Sequence, residues 1–140
     1  MLLRSAPKLT YEGARAILEA AAKKAKEMGL PICIAVVDDG GHLLAFARIN
    51  DAKPSAARVA VTKATSAALR RAATGPLPSA ENTDLLLSLG MPLASGGKLT
   101  CVRGGLPIVW EGTVVGGVGI SAGTQEQDEE VARAGLAALK

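Results

Sequence analysis

Few side chains in this 140-residue sequence could carry out chemistry, and the single histidine, His42, is the first of them. It directly follows a turn signal, Asp38–Gly41, which predicts a partly exposed position between two strands. An imidazole there can act as a general base or as an axial ligand of an iron centre. A histidine in a hairpin also commonly has a structural role only, so both interpretations stay open.

Lys63 is the second candidate, because it interrupts a helix that is otherwise rich in alanine. Its neighbours Ala60, Ala64 and Ala67 have little side chain, so this helix can approach a sheet closely. The Lys63 ammonium then either reaches the edge of the helix or enters a pocket. In a pocket it becomes a candidate catalytic residue.

Ser121 lies in two overlapping motifs, Gly119–Gly123 of the form G-x-S-x-G and Gly117–Ala122 of the form G-x-G-x-x-A. In the hydrolase fold that uses the first motif the histidine follows the serine, and no histidine follows Ser121. The dinucleotide fingerprint needs another strand with an acidic residue about 20 positions on. The remaining sequence to Lys140 does not supply one, so we predict neither chemistry from these motifs.

Gly116, Gly117 and Gly119 interrupt a predicted strand, although glycine weakens a strand interior. One reason for them is close packing against the alanine-rich helix. The other is the close approach of a ligand to the strand backbone. Both reasons can hold together.

The composition excludes several classes of protein. The chain has 26 alanines and 16 glycines but one residue each of Phe, Trp and Tyr, so its core is built from small and aliphatic side chains. Charged residues are 21 %, which argues against disorder. Because the chain has only two cysteines, Cys33 and Cys101, which lie far apart, a disulfide-rich scaffold is excluded. Because it has one histidine, a histidine-rich zinc site is excluded.

Partners and location follow from similar counts. No apolar run reaches about 18 residues, so we predict no membrane span. The first residues lack the apolar stretch of a signal peptide, so we predict a cytoplasmic protein. The net charge of +3 comes with no aromatic residues between the basic ones, so we predict no nucleic-acid partner.

Periodicity and turn signals predict one domain over residues 1–140. Helices are expected from Tyr11 to Gly29, over Ser55–Ala73, over Leu85–Leu89 and after Thr124, where Thr124 and Gln127 form a capping box. Strands are expected over 32–37, 42–48, 99–102, 107–110 and 113–120. Because hairpins dominate this order, we predict an antiparallel sheet with helices packed on it.

Several segments, in this order along the chain, resemble the GlcG/HbpS family, which includes the C-terminal domain of PduO. They are Val36–Leu43, Phe46–Arg48, Lys63–Ala68, Gly104–Ile108, and Val114–Ser121 followed by Gly123–Glu129. The resemblance extends from about Leu9 to Leu139.

This resemblance implies an α/β (α+β) fold of the profilin-like or PAS-like type, with a five-stranded antiparallel sheet and helices on both faces. It also implies homo-oligomers, dimeric or larger, and a small-molecule ligand, with haem as the cofactor known for some members. Carried over residue by residue, the family's pocket is predicted to contain the following residues: His42, Arg48, Lys63, Gly117, Gly119 and Ser121.

We therefore expect a small-molecule binding protein, accessory to a catabolic pathway, with haem as its best-supported ligand. His42 or a cysteine would bind the iron, and Arg48 and Lys63 would pair with the propionates. The alternative is a cofactor-independent enzyme in which Lys63 and Arg48 bind a small hydroxy- or oxo-acid while His42 moves a proton. A third interpretation is a structural module that stabilises a partner through its sheet edge.

Overall fold

The chain folds into four helices and four strands in the computed structural model, which describes residues 1–139. The helices are α1 (Tyr11–Glu27), α2 (Ser55–Arg70), α3 (Leu85–Ala94) and α4 (Gln125–Leu136). The strands are β1 (Cys33–Asp38), β2 (Leu43–Arg48), β3 (Gly105–Trp110) and β4 (Thr113–Ser121).

The strands form one sheet in the order β2-β1-β4-β3, and every neighbouring pair is antiparallel. Two hairpins, β1–β2 and β3–β4, supply the outer pairs, while β1 and β4 meet at the centre. In this register Cys33 lies opposite Arg48 on one side and Ser121 on the other. The predicted antiparallel sheet is confirmed.

Strand β1 shows why the helices cover both faces of the sheet. Successive side chains of a strand point to opposite faces. Ile34 and Val36 therefore join the core beneath α1 and α4, whereas Ala35 and Val37 join the core beneath α2. Since all of these side chains are buried, β1 is apolar on both faces, as its sequence predicted.

The sheet has four strands in residues 1–139, rather than the five expected, because residues 99–102 form no strand. Backbone N–H groups in this segment donate to side chains instead of to a neighbouring strand. The N–H of Leu99 donates to Ser95 Oγ, that of Thr100 to Ser66 Oγ, and that of Val102 to Thr100 Oγ1.

Helix ends follow the capping chemistry of the sequence. Helix α4 begins with the predicted capping box between Thr124 and Gln127. Helix α3 is longer than predicted and begins after Asp84, whose carboxylate accepts the N–H of Leu87 at 3.0 Å. Within the described chain, no helix is both long and apolar enough to cross a membrane.

Candidate functional site

Lys63 enters the protein interior and does not reach the edge of its helix. Its Nζ donates to the backbone oxygen of Ile120 at 2.8 Å and to Asp128 Oδ2 at 3.0 Å. The side chains of this pair are only 3 % and 2 % exposed. Burial raises the pKa of Asp128, against the opposing effect of Lys63. The second oxygen, Oδ1, accepts the N–H of Gly123 at 3.0 Å, so both carboxylate oxygens are occupied.

Lys63 and Ser121 lie in one cavity of about 310 Å³, near the N-terminal ends of α2 and α4. They are the two predicted site residues that line this cavity, and Gly119 packs beside Lys63, where an added Cβ would lie 3.0 Å from Lys63 Cβ. Asp128 lines the same cavity and was missed by the sequence analysis. The only sequence feature that pointed to Asp128 was its position in Gly123–Glu129, one of the segments that resemble the family.

Gly117 and Gly119 lie against the backbone of α2. A Cβ atom on Gly119 would sit 2.1 Å from the backbone oxygen of Ala60, and one on Gly117 would sit 2.2 Å from that of Ala64. Real Cβ atoms do not approach backbone so closely. Helix packing is therefore sufficient reason for glycine at both positions, and their role in ligand binding stays a prediction.

His42 lies at the tip of the β1–β2 hairpin, with its side chain 83 % exposed. Its Nδ1 is 3.3 Å from Asp38 Oδ1. The same carboxylate oxygen accepts the N–H groups of Gly40 and His42, both at 2.9 Å. Asp38 thus shapes the turn and also lies beside one nitrogen of the ring, while Nε2 has no hydrogen-bond partner among residues 1–139.

A cleft of about 480 Å³ is lined by the His42 turn, by α2 and by the segment after α3. Its lining residues are Gly40, Gly41, His42, Arg58, Val61, Thr62, Thr65, Leu69, Gly96, Gly97 and Lys98. Two cations, Arg58 from α2 and Lys98 from the segment after α3, therefore line the same cleft as the imidazole. Neither cation was predicted as a site residue, because no spacing in the sequence relates these positions to His42.

The remaining candidates lie elsewhere. Arg48 is exposed at the end of β2 and lines neither the Lys63 cavity nor the His42 cleft. Cys33 is fully buried, and burial raises the pKa of its thiol. Cys101 is half-buried in the irregular segment after α3. The predicted residues thus belong to at least two separate places on the molecule.

A protein-family model described as "Haem degrading protein HbpS-like" matches residues 9–137. The chain belongs to the HbpS-like family. This confirms the resemblance found in the sequence. Protein GlcG of Escherichia coli K12 is 39 % identical to the HbpS-like chain over 113 residues, which are 81 % of each protein.

Solved structures of related proteins share this fold. The crystal structure of HbpS matches with a TM-score of 0.84 and 31 % identity, over 99 % of this chain and 95 % of that one. A structure described as a PduOC:heme complex matches with a TM-score of 0.85 and 27 % identity, over 96 % of each chain. The second structure is thus a related protein with haem bound.

Proposed function

We propose that the HbpS-like chain binds haem in the cleft lined by the His42 turn, helix α2 and residues 96–98, with His42 Nε2 as the iron ligand. The observation that carries this proposal is the exposed imidazole with Asp38 Oδ1 3.3 Å from its other nitrogen. Histidines that bind metals usually donate their second ring N–H to a carboxylate or carbonyl, which fixes the ring and its tautomer. Asp38 is suited to that task.

The residues that line the cleft also suit the rest of a haem group, which is a flat apolar ring with two carboxylates. Val61 and Leu69 supply an apolar wall to the cleft. The four glycines that line it, Gly40, Gly41, Gly96 and Gly97, present backbone without side chains. Arg58 and Lys98 are the cations available to the propionates. They replace Arg48 and Lys63 in that role, because Lys63 is engaged with Asp128 and Arg48 lies elsewhere.

Bound haem would supply redox-active iron, and the residues of the chain would hold and orient it. The related haem complex and the family description support haem as the ligand.

An accessory role in a catabolic pathway stays a prediction. The cofactor-independent enzyme is less favoured, because its three proposed residues line no common cavity of those described above.

Replacing His42 by alanine is expected to abolish the shift of the Soret band that purified apoprotein causes in added hemin. Loss of an outer partner of a metal ligand typically lowers metal affinity by roughly 10–100-fold. Loss of the ligand itself should lower the affinity for hemin at least as much. A hemin titration followed by absorbance measures both quantities. Cys33→Ala and Cys101→Ala are the matched controls, and both should keep the wild-type spectrum. A wild-type spectrum in His42→Ala would exclude His42 as the ligand.

We also propose that the HbpS-like chain self-associates through α3, in line with the homo-oligomer expected from the family. Ser88 is the one buried residue of this ten-residue helix, and Leu86 and Leu93 are 84 % and 82 % exposed. Helices this short are marginal without packing partners. Five leucines of this helix are exposed, and four of them share one side of it, so a second copy of the same apolar helix is a suitable cover: Leu85, Leu86, Leu87, Leu89 and Leu93.

Leu86→Glu combined with Leu93→Glu is therefore expected to reduce the oligomer to a monomer, because the new carboxylates would be buried without partners. Size-exclusion chromatography with light scattering measures the mass. Leu2→Glu is the matched control, since Leu2 is also highly exposed but lies in the N-terminal segment before α1. An unchanged mass in the double variant, or a monomeric wild type, would contradict self-association through α3.

A further inference from the structure

The two edges of the sheet differ in how their backbone groups are occupied. At the β3 edge, the N–H of Thr74 donates to the oxygen of Gly105 at 2.9 Å, and the N–H of Gly105 donates to Thr74 Oγ1 at 3.0 Å. The next outward position along β3 is Pro107, which has no N–H to donate. The β3 edge therefore cannot pair fully with another strand.

The β2 edge is open. The N–H of Ile49 donates to the oxygen of Ile32 at 3.0 Å, and the pairs of an antiparallel ladder alternate from there. The N–H and C=O groups of Phe46 and Arg48 therefore point away from β1, and within residues 1–139 they bond to no group outside it. A row of unpaired backbone groups of this kind accepts another extended strand.

A groove of about 500 Å³ lies beside this edge, between β2 and α2. Leu43 and Phe46 are 53 % and 37 % exposed, although Val37 and Ala35, opposite them on β1, are fully buried. Helix α2 therefore leaves this end of the sheet face uncovered. The groove is lined by Leu43, Phe46, Pro54, Ala57, Arg58 and Val61. In a strand added to β2, every second side chain would enter it.

The charges beside the groove favour an acidic partner. Arg58 lines it, and Arg48 lies two residues after Phe46, so its side chain is on the same face of the sheet. Neither arginine forms an ion pair within residues 1–139, and no carboxylate lines the groove. A second copy of the same edge would bring two of each arginine into one interface without a carboxylate from either groove.

We propose that the β2 edge binds an extended peptide segment of a partner protein, with apolar side chains at alternate positions and at least one carboxylate. The peptide backbone pairs with Phe46 and Arg48, its apolar side chains fill the groove, and its carboxylate pairs with the Arg48 guanidinium. The groove adjoins the haem cleft and shares Arg58 and Val61 with it. The proposal does not depend on haem binding.

Amide hydrogen exchange of the full isotope-labelled chain tests the strand pairing directly. The probe is a synthetic seven-residue peptide of alternating valine and threonine with a glutamate at each end, acetylated and amidated. At ten times its Kd it should slow exchange at Phe46 and Arg48 by about tenfold, because the free fraction falls by that factor. Ala45 and Ala47, whose N–H groups face β1, are internal controls and should not change.

Two outcomes of this experiment would overturn the proposal. One is unchanged exchange at Phe46 and Arg48 in the presence of excess peptide. The other is slow exchange at both residues in the protein without peptide, increasing with protein concentration, because a second copy of the chain would then cover the edge.

A charge reversal tests the carboxylate. Arg48→Glu should weaken binding of the acidic peptide by about fivefold, measured by fluorescence anisotropy of the labelled peptide. The same peptide with lysine in place of each glutamate should bind Arg48→Glu more tightly than it binds the wild type. Arg4→Glu, the same change in the exposed N-terminal segment, is the matched control and should bind as the wild type does. Equal affinity of Arg48→Glu and the wild type for the acidic peptide would exclude the proposed ion pair.

A modified peptide tests the backbone bonds. Directly paired residues share a face of a sheet, so the valines that enter the groove also direct their N–H groups at β2. Methylation of these three valine nitrogens should weaken binding by about tenfold or more, and equal binding would contradict strand pairing. The hemin titration of Arg48→Glu should match that of the wild type, since Arg48 does not line the haem cleft. Failure of peptide binding and failure of haem binding can therefore be told apart.

Discussion

Replacing Lys63 by alanine is expected to lower the free energy of unfolding by about 3–5 kcal/mol, which is typical when one partner of a buried ion pair is removed. The substitution leaves the carboxylate of Asp128 buried without its cation, and the backbone oxygen of Ile120 loses a donor. Stabilities of native domains are about 5–15 kcal/mol, so this change removes a large part of the total. Urea unfolding followed by circular dichroism measures it.

The double variant Lys63→Met with Asp128→Leu should regain part of that loss, because it buries no unpaired charge, although the oxygen of Ile120 and the N–H of Gly123 lose their side-chain partners. Arg15→Ala provides the matched control: its ion pair with Glu19 is exposed on α1, and its loss should change stability little. If the double variant were as unstable as Lys63→Ala, the burial of an unpaired charge would not be the cause of the loss.

Gly119→Ala is expected to destabilise the fold by about 3 kcal/mol or more, at the upper end of the range for overpacked cores. The new Cβ would lie 2.1 Å from the backbone oxygen of Ala60 and 2.5 Å from the N atom of Ala64. No rotamer change relieves a contact with backbone, so β4 and α2 have to move apart. The free energy of unfolding in urea again provides the measurement.

Gly75→Ala is the matched control for this substitution. A Cβ on Gly75 would meet only the Cγ atom of Arg103, at 3.8 Å, which is an ordinary van der Waals distance. We expect its stability to stay close to the wild-type value. Equal stability of the two variants would contradict the close packing of α2 on β4.

Local signals in the sequence predicted most of the fold. The turn residues Asp38–Gly41 specified the first hairpin, and the capping box at Thr124 specified the start of α4. The segment 99–102 was predicted wrongly because its short apolar pattern does not reveal that Thr100 is tied to Ser66, 34 positions earlier. Such a bond depends on tertiary structure, and a local pattern cannot encode it.

The candidate sites were less accessible to sequence reasoning. The turn chemistry around His42 indicated a partly exposed imidazole, and the structure leaves this side chain 83 % exposed. The partner of Lys63 lies 65 positions away on another helix, and no spacing relates the two residues. For the same reason Arg58 and Lys98 were missed, since only the fold brings them to the cleft beside His42.

Anomalous diffraction at the iron edge, from crystals of the protein grown with hemin, tests the central claim most directly. Haem binding through His42 predicts an anomalous peak within bonding distance of His42 Nε2, and Arg58 and Lys98 would be the residues that hold the propionates. An iron peak within bonding distance of Cys101, or at any other site away from His42, would contradict haem binding through His42.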